Sequence, residues 1–233
     1  MASWKQYSYT MAAALLLGLW APSAAMAGPL EDGKAAYNGH NDYPAAQKLL
    51  RPLADQGNPD AQLYIGLMYD NGQGVKKNHA EAMAWYRKAG ANGNTRALYL
   101  IGESYFSGDG AKPNYPEAAK WLRKPAEQGD SDAQDSLGWL YETGHGVTQD
   151  TDEGRKWFLR SANQGNTDGM DHAAESYMAE SNEAEIYFWY SIMARTNSNY
   201  VKYRDDEAGF ITSEQKAAVD ARLQQWKPVP EKQ

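Results

Sequence analysis

A period of 36 residues runs through the middle of the chain and constrains its fold more than any other feature. When the chain is shifted by 36 positions, columns of glycine, tyrosine and tryptophan coincide. These columns are Gly66, Gly102 and Gly138; Tyr69, Tyr105, Tyr141 and Tyr177; Trp85, Trp121 and Trp157; and Gly57, Gly93, Gly129 and Gly165. A fixed period of roughly 20–50 residues is typical of repeat arrays, whose units bury apolar surface against their neighbours.

Each unit contains the pattern of two helices. In the first full unit, one helical face from about Ala61 to Asn71 carries Ala61, Ile65, Met68 and Tyr69. Gly66 lies in the middle of this helix, where glycine is unfavourable, so its repetition predicts that a partner helix approaches too closely for a Cβ. A second helix begins near His79 and ends at Gly93, with its buried stripe at Ala82, Trp85 and Ala89.

Polar residues at fixed offsets predict how these helices begin. Asn58, Asn94, Asp130 and Asn166 precede the first helices, and Asn78, Asn114 and Asp150 precede the second helices. The second helices also carry Glu81, Glu117 and Glu153 at the offset of a capping box, in which the glutamate returns to the cap. No segment alternates with period two for long enough to predict a strand. The pattern therefore predicts an all-α, right-handed α-solenoid.

The two ends of the array depart from the pattern, as array ends that meet water must. The N-terminal unit has shorter helices near Leu30–Asn38 and Tyr43–Asp55, and a last helix follows Thr212, with Gln215 at the capping-box offset. Pro52 and Pro125 fall late in second helices, where each is expected to kink or end its helix. The predicted division is a signal peptide at 1–27, a capping pair at 28–60, three full repeats at 61–168, a degenerate fourth repeat at 169–196, and a capping helix with tail at 197–233.

The first 27 residues have the layout of a secretory signal peptide. Lys5 is their single charged side chain, an apolar run extends from Met11 to Trp20, and Ala25-Met26-Ala27 forms an A-x-A cleavage pattern before Gly28. An uncleaved membrane anchor is the alternative, although the apolar run is short for one. The predicted location is the periplasm, with no membrane insertion after cleavage.

Charge and cysteine content narrow the classes of partner. The cleaved chain would carry a net charge of (23 − 1) − 30 = −8, because Lys5 is lost with the signal peptide. An acidic exported chain is poorly suited to bind nucleic acid or an anionic lipid surface. The sequence contains no cysteine, which excludes disulfides and thiolate zinc sites.

Three segments resemble Sel1-like repeats, which are related to tetratricopeptide repeats. They read AQLYIGLMYDNGQGVKKNHAEAMAWYRKAGANGN, ALYLIGESYFSGDGAKPNYPEAAKWLRKPAEQGD and AQDSLGWLYETGHGVTQDTDEGRKWFLRSANQGN. The resemblance implies a non-catalytic scaffold or adaptor that holds another protein, of a kind linked in exported bacterial members to envelope assembly, signalling regulators, and host or toxin binding. Some cysteine-rich exported members are linked to penicillin binding or hydrolysis, an activity for which this chain lacks the cysteines.

Motifs that suggest chemistry have simpler structural interpretations. The glycine pairs at 72 and 74, 108 and 110, and 144 and 146 follow a helix rather than a strand, so they predict turns and not phosphate loops. Ser104, in the segment GESYF, lacks the strand and final glycine of a nucleophile elbow. The four histidines, His40, His79, His145 and His172, are scattered without metal-ligand spacing. We therefore expect no catalytic residues, no metal and no cofactor.

Positions that change from unit to unit are the best candidates for binding. By resemblance to tetratricopeptide arrays, they face the concave side of the solenoid. They mix acids with large aromatic residues, which suits a basic or aromatic segment of a protein or peptide partner. The alternatives are that such residues are simply solvated or pack between repeats. The candidates are Leu63, Leu67, Asp70, Tyr99, Glu103, Phe106, Asp135, Trp139, Glu142, Asp171 and Glu175.

The resulting functional hypothesis is an exported scaffold or adaptor that binds its partner through the concave face. Two alternatives stay open. One is a hydrolase that acts on cell wall or β-lactams, and the other is an immunity or regulatory protein that neutralises a toxin or sensor.

Overall fold

The structure, a computed structural model, describes residues 28–109 and 112–231. The proposed signal peptide and Gly110 lie outside these residues. The described part is entirely helical, without a strand, and none of its helices is long and apolar enough to cross a membrane. Its helices are α1 Pro29–Asn38, α2 Tyr43–Asp55, α3 Pro59–Asn71, α4 His79–Ala91, α5 Thr95–Ser107, α6 Tyr115–Glu127, α7 Ser131–Thr143, α8 Thr151–Asn163, α9 Thr167–Ser176, α10 Glu183–Met193, α11 Asn199–Ala208 and α12 Ser213–Gln225, with a short 3₁₀ helix at Met178–Glu180.

Consecutive helices pack in pairs, and the pairs stack along the chain. The pairs α3–α4, α5–α6 and α7–α8 start and end at positions 36 residues apart, as the period requires. The predicted all-α solenoid is therefore confirmed. The first helices begin two residues earlier than predicted: α3 starts at Pro59, whose fixed φ suits the first helical position.

The mid-helix glycines are points of close helix approach, as predicted. A Cβ on Gly66 would lie 2.5 Å from Cε1 of Tyr86, and one on Gly138 would lie 2.7 Å from Cδ1 of Phe158. Their partners form a column that the sequence comparison missed, because its members differ in type. These fully buried residues are Leu50, Tyr86, Leu122 and Phe158.

The helix caps are confirmed in part. The side chain of Asn58 accepts a hydrogen bond from the N–H of Ala61, and that of Asn78 accepts one from the N–H of Glu81. The returning half of the predicted capping box is wrong for Glu81, Glu117 and Glu153. The N–H of Asn78 instead donates to the carbonyl of Tyr69 at 2.8 Å, and the equivalent bonds recur at Asn114 and Asp150. A capping box does form at Thr212 and Gln215.

The glycine pairs at 72 and 74 and at 144 and 146 lie in turns between helices, with positive φ at all four glycines. Gly72 and Gly144 both end their helices with φ of 72°, in the left-handed region, and the N–H of Gly72 donates to the Met68 carbonyl. The prolines, in contrast, do not end their helices early. Pro52 and Pro125 lie inside α2 and α6, which end at the same repeat position as α4 and α8.

The C-terminal end closes the array in two ways. Val219 of α12 is buried against the α10 cluster, and the Trp226 ring meets the Trp189 ring edge-on at 6.5 Å. Residues 227–231, here called the tail, then run back over the preceding repeats. The N–H of Val229 donates to the carbonyl of Asn163, and the Glu231 carboxylate accepts from Arg160 and Gln134.

Candidate partner-binding groove

An open groove of about 470 Å³ crosses three successive first helices. Because α5, α7 and α9 belong to neighbouring units and contact one another in that order, residues at equivalent offsets lie side by side. The lining residues are Tyr99, Glu103 and Phe106 from α5, Asp132, Asp135, Ser136 and Trp139 from α7, and Asn166, Asp168 and His172 from the start and body of α9. We call this feature the groove.

Aromatic rings make one wall of the groove. The Phe106 ring meets the Trp139 ring edge-on at 5.1 Å, and the His145 imidazole stacks on Trp139 at 5.0 Å. His145, expected in a loop, therefore holds the indole from the turn after α7. A large amphipathic ring held on several sides is a suitable anchor for a partner, because little freedom is lost on binding.

Carboxylates make the rest of the lining acidic. Asp132 is engaged by Arg96 at 3.1 Å and by Asn166, whose amide donates to it at 2.8 Å. Asp135 lies 2.8 Å from Nδ1 of His172, and this hydrogen bond raises the pKa of the imidazole. Both aspartates are thus partly compensated from within the protein.

Among the described residues, Glu103 and Asp168 are the lining carboxylates that no side-chain hydrogen bond or ion pair engages, and of the two Glu103 is half-buried whereas Asp168 is exposed. Burial, followed by the nearby charges of Asp109 and Asp132, raises the pKa of Glu103. Within residues 28–109 and 112–231 its side chain has no hydrogen-bond donor or ion-pair partner. A cation bound beside it would relieve this repulsion, so the groove favours positively charged groups.

Five of the predicted residues meet in the groove: Tyr99, Glu103, Phe106, Asp135 and Trp139. Asp171 and Glu175 line a separate pocket, and Glu142 is half-buried, with its pKa raised by burial. Leu63 differs from expectation, because only 8% of it is exposed and it packs in the core with Met83 and Tyr86.

Two more predicted residues are engaged within the protein. Leu67 packs against the same core cluster as Leu63, so most of its apolar surface is already covered. The Asp70 carboxylate lies 2.9 Å from Nδ1 of His79 and accepts a hydrogen bond from the Tyr86 hydroxyl at 3.2 Å. Neither residue lines the groove.

The groove also contains residues that the sequence reasoning missed: Asp132, Ser136, Asn166, Asp168 and His172. Two columns of equivalent repeat positions contain four of these residues and could have identified them from the sequence. One is Asp60, Arg96, Asp132 and Asp168, and the other is Tyr64, Leu100, Ser136 and His172. Neither column was compared, although the second changes type as freely as the columns that were selected; the first is aspartate at three of its four positions.

A serine, a histidine and an aspartate meet outside the groove. Nε2 of His79 lies 2.8 Å from Oγ of Ser104, and Nδ1 of the same ring lies 2.9 Å from Asp70. These are the distances of a nucleophile, a base and an orienting carboxylate. Sequence reasoning did not connect these residues, because they come from three different helices.

Acyl transfer also needs N–H donors for the oxyanion, and the surroundings of Ser104 oppose this. Ser104 lies inside α5, where backbone N–H groups donate within the helix. The carboxylate of Asp109 stands 3.8 Å from Nε2 of His79, where it would repel a developing negative charge. The arrangement is better suited to joining α3 and α4 to the next repeat. Nor do the described residues place three or more His, Asp or Glu side chains where they could hold a metal ion.

Comparison with known proteins agrees with the repeat geometry. The model of the Sel1 repeat matches residues 59–94, 95–130 and 131–166. A protective antigen present in uropathogenic Escherichia coli strains, which displays an SLR fold, is 26% identical with a TM-score of 0.75. That match covers 85% of this chain but 44% of the antigen, so this chain spans less than half of the antigen's length.

A second solved structure, a Sel1 repeat protein from Oxalobacter formigenes, is 24% identical with a TM-score of 0.66. The match covers 86% of this chain and 89% of that protein, and it supports the fold alone. No curated protein matches the chain significantly.

Proposed function

Since this chain is a Sel1 repeat protein, with three such repeats over residues 59–166, we propose that it is an exported scaffold that binds a protein partner through the groove. Sel1 repeat proteins are generally protein-interaction scaffolds. The observation that carries the proposal is the pairing of a rigid aromatic wall, centred on Trp139, with the uncompensated Glu103 carboxylate. The partner segment would be basic and would bear an aromatic or apolar side chain.

The mechanism is the presentation of side chains at fixed spacing. The groove takes its walls from three consecutive units, so its shape is set by the stacking of the repeats rather than by one loop. Binding then needs little rearrangement, and the aromatic anchor contributes most of the affinity while the acids set specificity and association rate. Export to the periplasm, with cleavage before Gly28, is part of the proposal. Mass spectrometry of the mature protein tests it, and a mass that does not correspond to a chain beginning at Gly28 would contradict it.

Binding of short fluorescent peptides, measured by anisotropy, tests the groove. A peptide that alternates lysine and tryptophan should bind, and one that alternates glutamate and tryptophan should not. Trp139→Ala should raise the Kd about tenfold or more, which is the usual effect of losing an aromatic anchor. Glu103→Gln should weaken binding less and should reduce its dependence on salt.

Matched controls lie away from the groove. Phe210 is 72% exposed and Glu127 is exposed at the end of α6, so Phe210→Ala and Glu127→Gln remove comparable side chains elsewhere. Both controls should leave the Kd unchanged. Equal loss of affinity in the control and groove variants would contradict the assignment of the groove as the binding site.

Hydrolysis is the second candidate, favoured by the contact of Ser104, His79 and Asp70. A fluorophosphonate probe, which labels activated serines, distinguishes the two functions. We expect no labelling, because the surroundings of Ser104 disfavour an oxyanion. Labelling that disappears in Ser104→Ala and in His79→Ala would establish an enzyme and displace the scaffold as the primary function.

A further inference from the structure

A second pocket, of about 420 Å³, lies on the other side of α9 from the groove. The groove is bounded by α5, α7 and α9, whereas this pocket is bounded by α9, α10 and α11, so α9 contributes to both. We call it the C-terminal pocket. Its lining residues are Asp171, Glu175, Met178, Tyr190, Asn197, Asn199, Tyr200, Tyr203 and Glu207.

Three tyrosine rings form one side of the C-terminal pocket. The centroid of the Tyr190 ring is 6.0 Å from that of Tyr200 and 5.5 Å from that of Tyr203. Tyr190 is buried, but 53% of Tyr203 is exposed. The cluster is therefore anchored in the core by the Tyr190 ring and presents the Tyr203 ring to solvent. Elsewhere in the protein, two partly buried tyrosine rings carry arginines of the chain itself, with Arg96 over Tyr99 and Arg155 over Tyr177. Among the described residues, no lysine or arginine lies over this cluster.

Three carboxylates face the same space: Asp171, Glu175 and Glu207. Asp171 accepts a hydrogen bond from the Tyr200 hydroxyl at 3.2 Å, which fixes its position. Burial, followed by the charges of Glu183 and Asp206, raises the pKa of Glu207. No basic side chain is among the described residues that line the pocket, so its negative charge is not compensated from within.

We propose that the C-terminal pocket binds the guanidinium group of an arginine in the partner segment. A guanidinium is planar, so it stacks on a tyrosine face, and its N–H donors reach carboxylates in a fixed fork. A lysine ammonium is more strongly hydrated and offers no plane for stacking. The exposed Tyr203 face and the carboxylates of Asp171 and Glu207 supply both kinds of contact in one pocket.

This inference deepens the proposed function and rests on it, because the two sites flank one helix. The partner segment would therefore cross α9, with its arginine on one side of that helix and the side chain that enters the groove on the other.

Binding of small cations tests the C-terminal pocket independently of the groove. Binding of N-acetyl-arginine amide, N-acetyl-lysine amide and tetramethylammonium would be followed by titration calorimetry on the whole chain. The arginine compound should bind most tightly. Tyr203→Ala and Glu207→Gln should each weaken its binding about fivefold or more. Both substitutions lie on α11, which buries no residue, so folding should be preserved; circular dichroism would verify it.

The groove variant Trp139→Ala is the matched control, and it should leave the affinity for the arginine compound unchanged. Equal affinity for the arginine and lysine compounds, tighter binding of tetramethylammonium, or an unaltered Kd in Tyr203→Ala would overturn the inference. Failure of the groove itself would instead appear as peptide binding that is insensitive to Trp139→Ala. The two failures are therefore distinguishable.

Discussion

At the scale of single residues, the repeat identifies packing positions better than it identifies their partners. The mid-helix glycines were predictable because one residue type recurs at 66, 102 and 138. The residues that fill the space beside them were not, since tyrosine, leucine and phenylalanine fill the same role in successive repeats. Burial selects for volume and apolar character rather than identity, so a comparison by residue type misses such a column.

Gly138→Ala tests the close approach of α7 and α8. The added Cβ would lie 2.7 Å from the Phe158 ring and 3.0 Å from the Gly154 carbonyl oxygen. We expect a net loss of about 2 kcal/mol in the free energy of unfolding, since overpacking outweighs the helix propensity gained by alanine. Urea denaturation measures it, with the exposed Ser107→Ala as control. In a Phe158→Leu background, Gly138→Ala should lower the free energy of unfolding by less. If Gly138→Ala alone were as stable as the unsubstituted protein, or more stable, the close packing of α7 and α8 would be contradicted.

At the scale of helices, the predicted boundaries held to within two residues where caps mark them. Local polar residues specify where a helix begins, so this information is present in a short segment of sequence. The capping boxes failed for a non-local reason: the N–H of each cap already donates to a carbonyl at the end of the preceding helix. The tyrosine column thus also has a backbone role, which no periodicity of side chains discloses.

Asn94 shows how one cap serves two helices. Its side chain accepts from the N–H of Ala97 at 2.9 Å and its amide donates to Asp60 of α3 at 2.9 Å. Asn94→Ala should lower the free energy of unfolding by about 1–2 kcal/mol, because both bonds are lost. Asn94→Ser should lose less, since it keeps the capping acceptor. Chemical denaturation compares them, and similar losses in the two variants would show that the cap contributes nothing.

At the scale of the whole molecule, the sequence predicted the architecture but only part of the candidate site. Glu103 and Trp139 were found because they stand in columns that change between units. His145 and His172 were not, since one lies in a turn and the other in a column that was not compared. The course of the tail was also unforeseen, because it depends on contacts between Glu231 and residues 71 and 97 positions earlier.

Glu231→Gln tests whether the tail fastens the later repeats. The Arg160 guanidinium, by its hydrogen bond, lowers the pKa of Glu231. Its contribution to stability is therefore present above the ordinary glutamate pKa and is lost as the pH falls through the lower folded value. The pair is partly exposed, so at neutral pH we expect a loss of about 1 kcal/mol or less.

Hydrogen exchange locates that effect within the array. Amides of α8 should exchange faster in Glu231→Gln, whereas those of α3 and α4 should be unchanged, because repeats couple through adjacent units. The control is Lys227→Gln, which changes an exposed residue of the same tail. Uniform acceleration throughout the chain would show that the tail stabilises the array as one cooperative body.

The equal spacing of the helix boundaries has a consequence for how such a chain can change. Each full unit begins and ends at an equivalent point of the backbone, 36 residues from the next. Insertion, excision or exchange of one unit would therefore recreate the junctions that already exist, while the walls of the groove would be replaced. A protein built in this way can acquire a different partner by recombination of whole segments. None of the sequences along that route needs to lose the ability to fold.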